Sequence, residues 1–215
     1  TYDFIVTGAG SAGCAVAGRL SESGKYRVLL LEAGPRDTNP WIHIPLGYTK
    51  NYSNPNVNWM FESEPEPNLN NRTLYQPRGK VLGGTSSING AVYMRGTAAD
   101  YNDWRQRGCE GWDWDNVLPY FKKAQNQERG ASELHGTGGP LHVNDIPHEW
   151  PLAKACIDAA MQTGIPYNPD FNGRQQEGTG FYQFTVNNSR RWSSARAYLG
   201  PAKSRANLTI STESH

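Results

Sequence analysis

The sequence has few of the residues that build disulfide frameworks, membrane spans or nucleic-acid surfaces. Its three cysteines, Cys14, Cys109 and Cys156, lie far apart without a C-x-x-C pair, so we predict three reduced thiols and neither a disulfide framework nor a zinc site. No run of about eighteen apolar residues occurs, so no transmembrane helix is predicted. The formal net charge is +1 without a long basic run, which gives no reason to expect nucleic acid as a partner.

The remaining composition is that of a folded globular protein. The chain has 215 residues, of which 37% are hydrophobic and 19% charged, enough for one large domain or two small ones. The first residues enter an apolar run at once and show no signal-peptide pattern. We therefore expect a cytoplasmic protein, with peripheral association with a membrane left open.

The first 34 residues have the pattern of a strand, a glycine turn, a helix, a second strand and an acidic residue. Residues 3–7 and 27–31 are short apolar runs, and residues 14–20 are compatible with a helix that Gly24 can end. A glycine motif alone also occurs in ordinary turns. The flanking elements make this motif a stronger signal for a nucleotide site than for a turn that binds nothing.

Each glycine of the motif has a separate physical role. Gly8 can adopt the dihedral angles of a tight turn, Gly10 lets the backbone approach a pyrophosphate, and Gly13 permits close packing of helix on strand. The helix N-terminus favours a phosphate anion. Glu32, nineteen residues after Gly13, can accept hydrogen bonds from a ribose diol. The carboxylate argues against a 2′-phosphate but does not separate NAD from FAD.

The segment 35–78 is rich in proline and asparagine, and proline at this density breaks regular elements. A long segment without periodicity is uncommon in a compact domain unless it covers something. We predict an extended arm or lid, anchored by burial of Trp41, Trp59 and Phe61. The alternative is a surface excursion without a role.

A second glycine stretch occupies residues 79–96. Gly83-Gly84 followed by Thr85-Ser86-Ser87 forms a loop of small residues, whose N–H and hydroxyl groups can face an anion or a ring edge. In the alternative, Ser86 or Ser87 caps a helix over 88–94.

The rest of the chain alternates helix and strand patterns. We predict helices over 100–107, 115–123, 151–163 and 193–199, a loop over 125–139, and strands over 141–143, 181–186 and 208–212.

Together, the two glycine stretches resemble the glucose–methanol–choline family of FAD-dependent oxidoreductases, and in particular its choline-dehydrogenase-like alcohol dehydrogenases. Residues 8–13 with Glu32 match the family's ADP-binding fingerprint, and residues 79–96 match its first signature, Gly-Lys-x-Leu-Gly-Gly-Thr-Ser-x-Ile-Asn. Weaker family-like marks follow at Asp100-Tyr101, Trp104, Gly111-Trp112, 138–141 and 191–199. The resemblance covers essentially the whole chain.

The resemblance implies an α/β fold, α+β overall, with a doubly wound FAD-binding sheet of Rossmann type and part of an antiparallel-sheet substrate domain. Residues 1–34 would form the ADP-binding βαβ unit and residues 35–78 the arm or FAD lid. Residues 79–140 would form the FAD-binding loop and helices, residues 141–200 part of the substrate domain, and residues 201–215 a return strand to the FAD domain.

The resemblance also implies the residues that contact FAD. Some family members attach FAD covalently through a histidine, but Ile88 stands at that position here, so non-covalent binding is expected. The expected contacts are Gly8, Gly10, Ser11, Ala12, Gly13, Glu32, Ala33, Arg78, Val81, Gly84, Thr85, Ser86, Asn89, Gly90, Ala91 and Val92.

The implied reaction oxidises an alcohol to an aldehyde or ketone, with hydride transfer to flavin N5. None of the five histidines, His43, His135, His142, His148 and His215, matches the family's catalytic histidine. We therefore expect no catalytic residue and no metal site in this chain. The proton acceptor is expected on a C-terminal part of the same enzyme, in one polypeptide or as a second chain.

Three other functions are compatible with these motifs. They are a NAD-dependent dehydrogenase, a flavin-binding module without activity, and a redox-neutral lyase or light-driven decarboxylase of the same family. Ser86 and Ser87 have no local base motif, so a serine hydrolase is disfavoured.

Overall fold

The computed structural model describes residues 1–215 and divides into two units. The first unit comprises Thr1–Ala91 and Asn188–His215, and the second comprises Val92–Asn187. These boundaries fall inside the predicted segments 79–140 and 141–200, and the assignment of the segments to a FAD domain and a substrate domain stays a prediction. No helix is long and apolar enough to cross a bilayer.

The regular elements are short. The strands are β1 (Phe4–Thr7), β2 (Val28–Leu31), β3 (Phe61–Glu62), β4 (Tyr75–Gln76), β5 (Gln125–Gln127), β6 (Leu141–Val143), β7 (Val186–Asn187), β8 (Arg190–Arg191) and β9 (Leu208–Ser211). The α-helices are α1 (Ser11–Leu20), α2 (Pro40–His43), α3 (Tyr48–Asn51), α4 (Ala98–Gln106), α5 (Trp114–Ala124), α6 (Pro151–Gln162) and α7 (Gly200–Ala202). Single 3₁₀ turns lie at Pro45–Gly47, Pro67–Leu69 and Gly84–Ser87, and a π-helix at Ala195–Leu199.

A parallel sheet of three strands organises the first unit, in the order β1–β2–β9. Phe4 lies opposite Val28 in one pair, and Val28 lies opposite Leu208 in the other. Parallel neighbours need a crossover connection, and α1 supplies it between β1 and β2. Cys14 on α1 is fully buried in the same apolar core as Val28. The predicted βαβ unit of Rossmann type is confirmed.

The segment 35–78 is folded into short elements and is not simply extended. It contains α2, α3, two 3₁₀ turns and the antiparallel hairpin β3–β4. The predicted anchoring by Trp41 and Phe61 is wrong, because their exposed fractions are 46% and 50%. Ile42 anchors the segment instead, since it is fully buried in an apolar cluster with Ile88.

The second unit contains the three predicted helices of the middle of the chain. Helices α4, α5 and α6 confirm the predictions over 100–107, 115–123 and 151–163 within two residues. Gly108 and Gly164 follow α4 and α6 with φ of +102° and +95°, as expected of glycines that end helices. Strands β5 and β6 pair in parallel, and Phe184 forms isolated antiparallel bridges with Val92 and Asn144.

Three predicted elements are wrong because their hydrogen-bond partners are distant in sequence. The helix over 88–94, the alternative that Ser86 or Ser87 would cap, is absent, since the chain leaves the 3₁₀ turn at Ser87 and becomes irregular. The strand predicted over 181–186 is reduced to bridges at Phe184 and the short β7. The loop predicted over 125–139 begins with β5, which pairs with β6.

One predicted helix boundary differs: helix α1 ends at Leu20, and Gly24, at φ +72°, lies in the turn that follows. Asp113 caps α5, because its side chain accepts the Asn116 N–H. Pro201 lies inside α7, where the first helical turn requires no N–H donor.

Candidate cofactor site

The glycine turn between β1 and α1 forms the base of the site. Gly8 has φ of +86° and its N–H donates to the Leu31 carbonyl at 2.8 Å. A Cβ atom on Gly13 would overlap the Gly8 carbonyl oxygen and would lie 3.5 Å from a Val6 methyl group. The close approach of helix to strand that we predict for Gly13 is therefore confirmed.

Gly10 lies at the N-cap of α1 and faces open space. Its backbone is extended, with φ of −72° and ψ of −169°, and a Cβ atom there would meet no atom within 4 Å. Ser11 and Ala12 begin the helix at the surface, where the first N–H groups have no partner within the helix. The turn thus leaves room and backbone donors for an anion above the helix N-terminus.

Glu32 at the end of β2 fixes this turn. The carboxylate is only 5% exposed, and its oxygens accept the Ala9 N–H at 2.7 Å and the Gly34 N–H at 2.9 Å. Each carboxylate oxygen has a second lone pair. The same side chain therefore shapes the glycine turn and retains acceptor capacity for a ligand hydroxyl.

The second glycine loop packs directly on the first. A Cβ atom on Gly84, whose φ is +54°, would lie 2.7 Å from Gly10 Cα, and the Gly83 N–H donates to the Ala9 carbonyl at 2.7 Å. The Thr85 hydroxyl accepts the Gly79 N–H at 3.2 Å. Only glycine allows the two loops to touch at this point.

Between the two loops lies a cavity of about 540 Å³, within the range of small-ligand and cofactor sites. Five of its lining residues are among the predicted contacts: Gly8, Gly10, Glu32, Ala33 and Gly84. The others are Thr7, Leu31, Trp59, Gly79, Ser214 and His215. The open glycine cradle and the acceptor carboxylate fit a dinucleotide cofactor.

Six of the lining residues are not among the predicted contacts: Thr7, Leu31, Trp59, Gly79, Ser214 and His215. Trp59 is predicted as an anchor of the arm; the centre of its ring lies 4.7 Å from the Lys80 ammonium and 5.6 Å from the centre of the His215 ring. Gly79 opens the second glycine signature, which was the available signal. Ser214 and His215 reach the cavity only because β9 pairs with β2, and no local sequence pattern predicts that pairing.

The other predicted contacts do not line this cavity. Val81 is fully buried in an apolar cluster, and Arg78 is an exposed residue whose N–H donates to the Asn58 side chain. The Ser86 hydroxyl donates to the Gly83 carbonyl at 2.6 Å and accepts the Ser194 N–H at 3.0 Å. These contacts fix the loop rather than leave its hydroxyl free.

Asn89, Gly90 and Ala91 form a constrained turn at the end of the first unit. Ala91 has a left-handed φ of +62°, which is rare for a residue with a side chain, and its N–H donates to Asn89 Oδ1 at 3.0 Å. A Cβ atom on Gly90 would meet nothing within 4 Å. Val92 begins the second unit with its side chain 44% exposed.

Arg191 stabilises this turn through hydrogen bonds from its buried guanidinium. Its Nη1 donates to Asn89 Oδ1 at 2.8 Å and to the Ser86 carbonyl at 3.2 Å, and its Nε donates to the Ile42 carbonyl at 2.8 Å. Burial lowers the pKa of the guanidinium to about 10, which leaves it charged at neutral pH. The sequence signal for Arg191 is its place at the start of the family-like mark 191–199.

Cys14, His43 and His135 contact protein groups, whereas Cys109 and Cys156 are exposed. Burial raises the pKa of the Cys14 thiol to about 12, and the thiol donates to the Ala9 carbonyl, so Cys14 serves the packing of α1. His43 Nε2 lies 2.7 Å from the Asp37 carbonyl oxygen, and His135 lies 2.8 Å from Asp170. No group of three or more His, Cys, Asp or Glu side chains is arranged to hold a metal ion.

Comparison with known proteins identifies the chain's relatives. A family model described as GMC oxidoreductase matches residues 2–215. The alcohol dehydrogenase [acceptor] of Pseudomonas putida is 51% identical over 215 residues, which are 100% of this chain and 39% of that protein. The mitochondrial choline dehydrogenase of Mus musculus is 50% identical over 214 residues, 96% of this chain and 36% of that protein.

A solved structure shows the same fold. Pyridoxine 4-oxidase from Mesorbium loti matches with a TM-score of 0.94 and 33% identity, over 99% of this chain and 42% of that one. The chain therefore spans about two fifths of the length of the proteins that it matches.

Proposed function

This chain belongs to the glucose–methanol–choline (GMC) family of oxidoreductases, and from that premise we propose that it holds most of an FAD site in an enzyme that oxidises an alcohol to an aldehyde or ketone. The observation that carries the proposal is the open cradle formed by Gly8, Gly10 and Gly84 above the N-terminus of α1. A side chain on Gly10 would fill that space, so the cradle serves a ligand rather than the packing of the fold.

The protein groups of the cradle suit the ADP half of FAD. Backbone N–H groups at the start of α1 would receive the pyrophosphate, with the positive end of the helix dipole behind them. Glu32, already oriented by two backbone N–H donors, would accept a hydrogen bond from a ribose hydroxyl. The segment 35–78 would cover the cofactor, with Trp59 on the cavity wall.

We propose that FAD is bound without a covalent link. Ile88, at the position where the family resemblance places a linking histidine, has no nucleophilic atom. It is fully buried in an apolar cluster with Ile42, Val57 and Val81. Its side chain therefore supports the loop from within the core.

When bound, FAD supplies the hydride acceptor of the reaction, and the protein supplies binding, orientation and electrostatics. The proton of the alcohol needs a base, and the histidines of the first unit do not suit that role. His43 faces the Asp37 carbonyl, and His215 lies at the Glu32 end of the cavity. We propose that the base lies in the part of the relatives' length that this chain does not cover.

The experiment that tests the proposal uses the protein expressed from its full gene. Titration with FAD and with NAD should show tight binding of FAD alone. Anaerobic addition of ethanol, benzyl alcohol or choline should then bleach the flavin absorbance for at least one of them. Binding of NAD instead of FAD would overturn the cofactor assignment, and bound FAD that no alcohol reduces would favour a flavin-binding module.

A further inference from the structure

Arg191 is the most deeply buried cation of the first unit and joins three segments of it. The residue is 1% exposed, and its guanidinium donates to the carbonyls of Ile42 and Ser86 and to the side chain of Asn89. Those acceptors belong to the proline-rich segment, the second glycine loop and the turn before Val92. A planar guanidinium with donors in a fixed fork suits such a junction.

The charge of this arginine is not balanced by any carboxylate. No acidic oxygen lies within ion-pair distance of Arg191, and its Nη2 is buried without a hydrogen-bond partner. Burying a charge without a counter-charge is costly, and buried charges are normally paired. A junction made only for packing would not need the charge, so the unpaired Nη2 indicates that an electronegative group belongs nearby.

The turn that Arg191 holds is under backbone strain. Asn89 Oδ1 accepts both the Ala91 N–H and the Arg191 Nη1–H, and Ala91 is buried in a left-handed conformation. Strained residues persist only where their surroundings fix them, and they cluster at ligand sites. The family resemblance implies Asn89 and Ala91 as FAD contacts, so the strain and the unpaired charge lie at one turn that is expected to contact the cofactor.

Hydride transfer to a bound FAD would change the charge of its flavin ring. The C–H hydride would carry two electrons and one proton from the alcohol to the flavin, while the alcohol O–H proton would leave to a base. The ring would therefore gain one negative charge, which a buried positive charge nearby would stabilise more strongly than a solvated charge.

We propose that Arg191 is a positioning residue for the flavin ring, which fixes the Asn89–Ala91 turn and supplies the positive charge that stabilises the reduced cofactor. This inference rests on the proposed function, because it needs FAD at the site. Its consequence is a higher flavin reduction potential than the same turn would give without the charge.

The test compares Arg191→Lys and Arg191→Met in the FAD-loaded protein expressed from its full gene, with Arg190→Met as the matched control. Arg190 is the adjacent, exposed arginine of β8. The midpoint potential is measured by equilibration with a reference dye, and FAD affinity by titration. Arg191→Met should disfavour the reduced form at least tenfold, which lowers a two-electron potential by about 30 mV. Arg191→Lys should bind FAD more weakly, but its equilibrium constant for flavin reduction should lie within threefold of the wild-type value.

Several outcomes would overturn the inference. One is an Arg191→Met variant that binds FAD with the wild-type potential; another is an Arg190→Met variant that shifts the potential as much as Arg191→Met does. If Arg191→Met cannot retain FAD, the potential of Arg191→Lys becomes the test. Lysine keeps the positive charge, so a tenfold shift of the flavin equilibrium away from the reduced form in Arg191→Lys would contradict the role of the charge. A wild-type protein that binds no FAD would instead overturn the proposed function itself.

Discussion

At the scale of one residue, a substitution at Gly10 should distinguish an effect on cofactor binding from an effect on folding. Its dihedral angles are allowed for alanine, and an added Cβ would project into open space in the cradle. We predict that Gly10→Ala weakens FAD binding at least tenfold, because the methyl group would occupy the position that we propose for the pyrophosphate. The cost to folding should stay below about 1 kcal/mol. Flavin titration and thermal unfolding measure the two effects separately.

Gly200→Ala is the matched control for this prediction. Gly200 has negative φ, and its added Cβ would also meet nothing within 4 Å, but it begins α7 away from the cavity. Unchanged FAD affinity in Gly10→Ala would show that the cradle is not the pyrophosphate site.

Glu32 links the shape of the turn to ligand binding. Each carboxylate oxygen accepts one backbone N–H, whereas glutamine has only one acceptor oxygen. Glu32→Gln should therefore leave one buried N–H unpaired and lower the free energy of unfolding by about 1–3 kcal/mol, measured by urea denaturation. The control Glu22→Gln breaks only an exposed pair with Arg19 and should cost less than about 0.5 kcal/mol. Equal losses in the two variants would contradict the role of Glu32.

Cys14 gives a prediction about pH. Burial raises the pKa of its thiol from 9.0 to about 12, so the folded state disfavours the thiolate. The stability contributed by the neutral thiol is present below about pH 9 and is lost as the pH rises towards 12. At pH 8 only about one Cys14 in ten thousand should be ionised. Iodoacetamide labelling followed by peptide mapping should leave Cys14 unmodified in the native protein, and rapid native labelling would refute its burial.

At the scale of one element, the C-terminus of α1 depends on residues from the end of the chain. Arg205 Nη1 donates to the Gly18 carbonyl at 2.6 Å and to the Ser21 hydroxyl at 2.9 Å. A cation at a helix C-terminus is also favoured by the helix dipole. Arg205→Met should lower the free energy of unfolding by about 1–3 kcal/mol and speed amide exchange in α1. Lys203→Met, an exposed control, should change neither by more than about 0.5 kcal/mol.

The elements that could be predicted from sequence carry their own local signals. Apolar runs around glycines specify β1, α1 and β2. Helical periodicity of apolar residues, followed by a terminal glycine, specifies α4 and α6. The failures lack such signals. β5 is a strand of glutamine and asparagine whose buried Gln125 and Gln127 contact side chains from other segments, His135 for the Gln125 oxygen and Gln183 for Gln127. Propensity and hydrophobic periodicity do not register a buried polar strand.

At the scale of the whole molecule, the site residues that the sequence predicts are those that lie within one contiguous motif. Gly8, Gly10 and Glu32 lie within one βαβ unit, so their spacing alone places them at one end of the sheet. His215 reaches the same cavity because β9 pairs with β2, and Trp59 reaches it from the segment 35–78. Both placements depend on tertiary packing. Arg191 is the clearest example, since nothing in its local sequence indicates that it would be buried beneath Asn89.

The central claim, that this chain builds a non-covalent FAD site, is tested most directly by mass spectrometry of the purified protein expressed from its full gene. The native spectrum should show the polypeptide carrying the mass of one FAD, and the denaturing spectrum should show the polypeptide without it. FAD that remains attached after denaturation would contradict non-covalent binding. A native species that carries no FAD, even after incubation with an excess of the cofactor, would contradict the site itself.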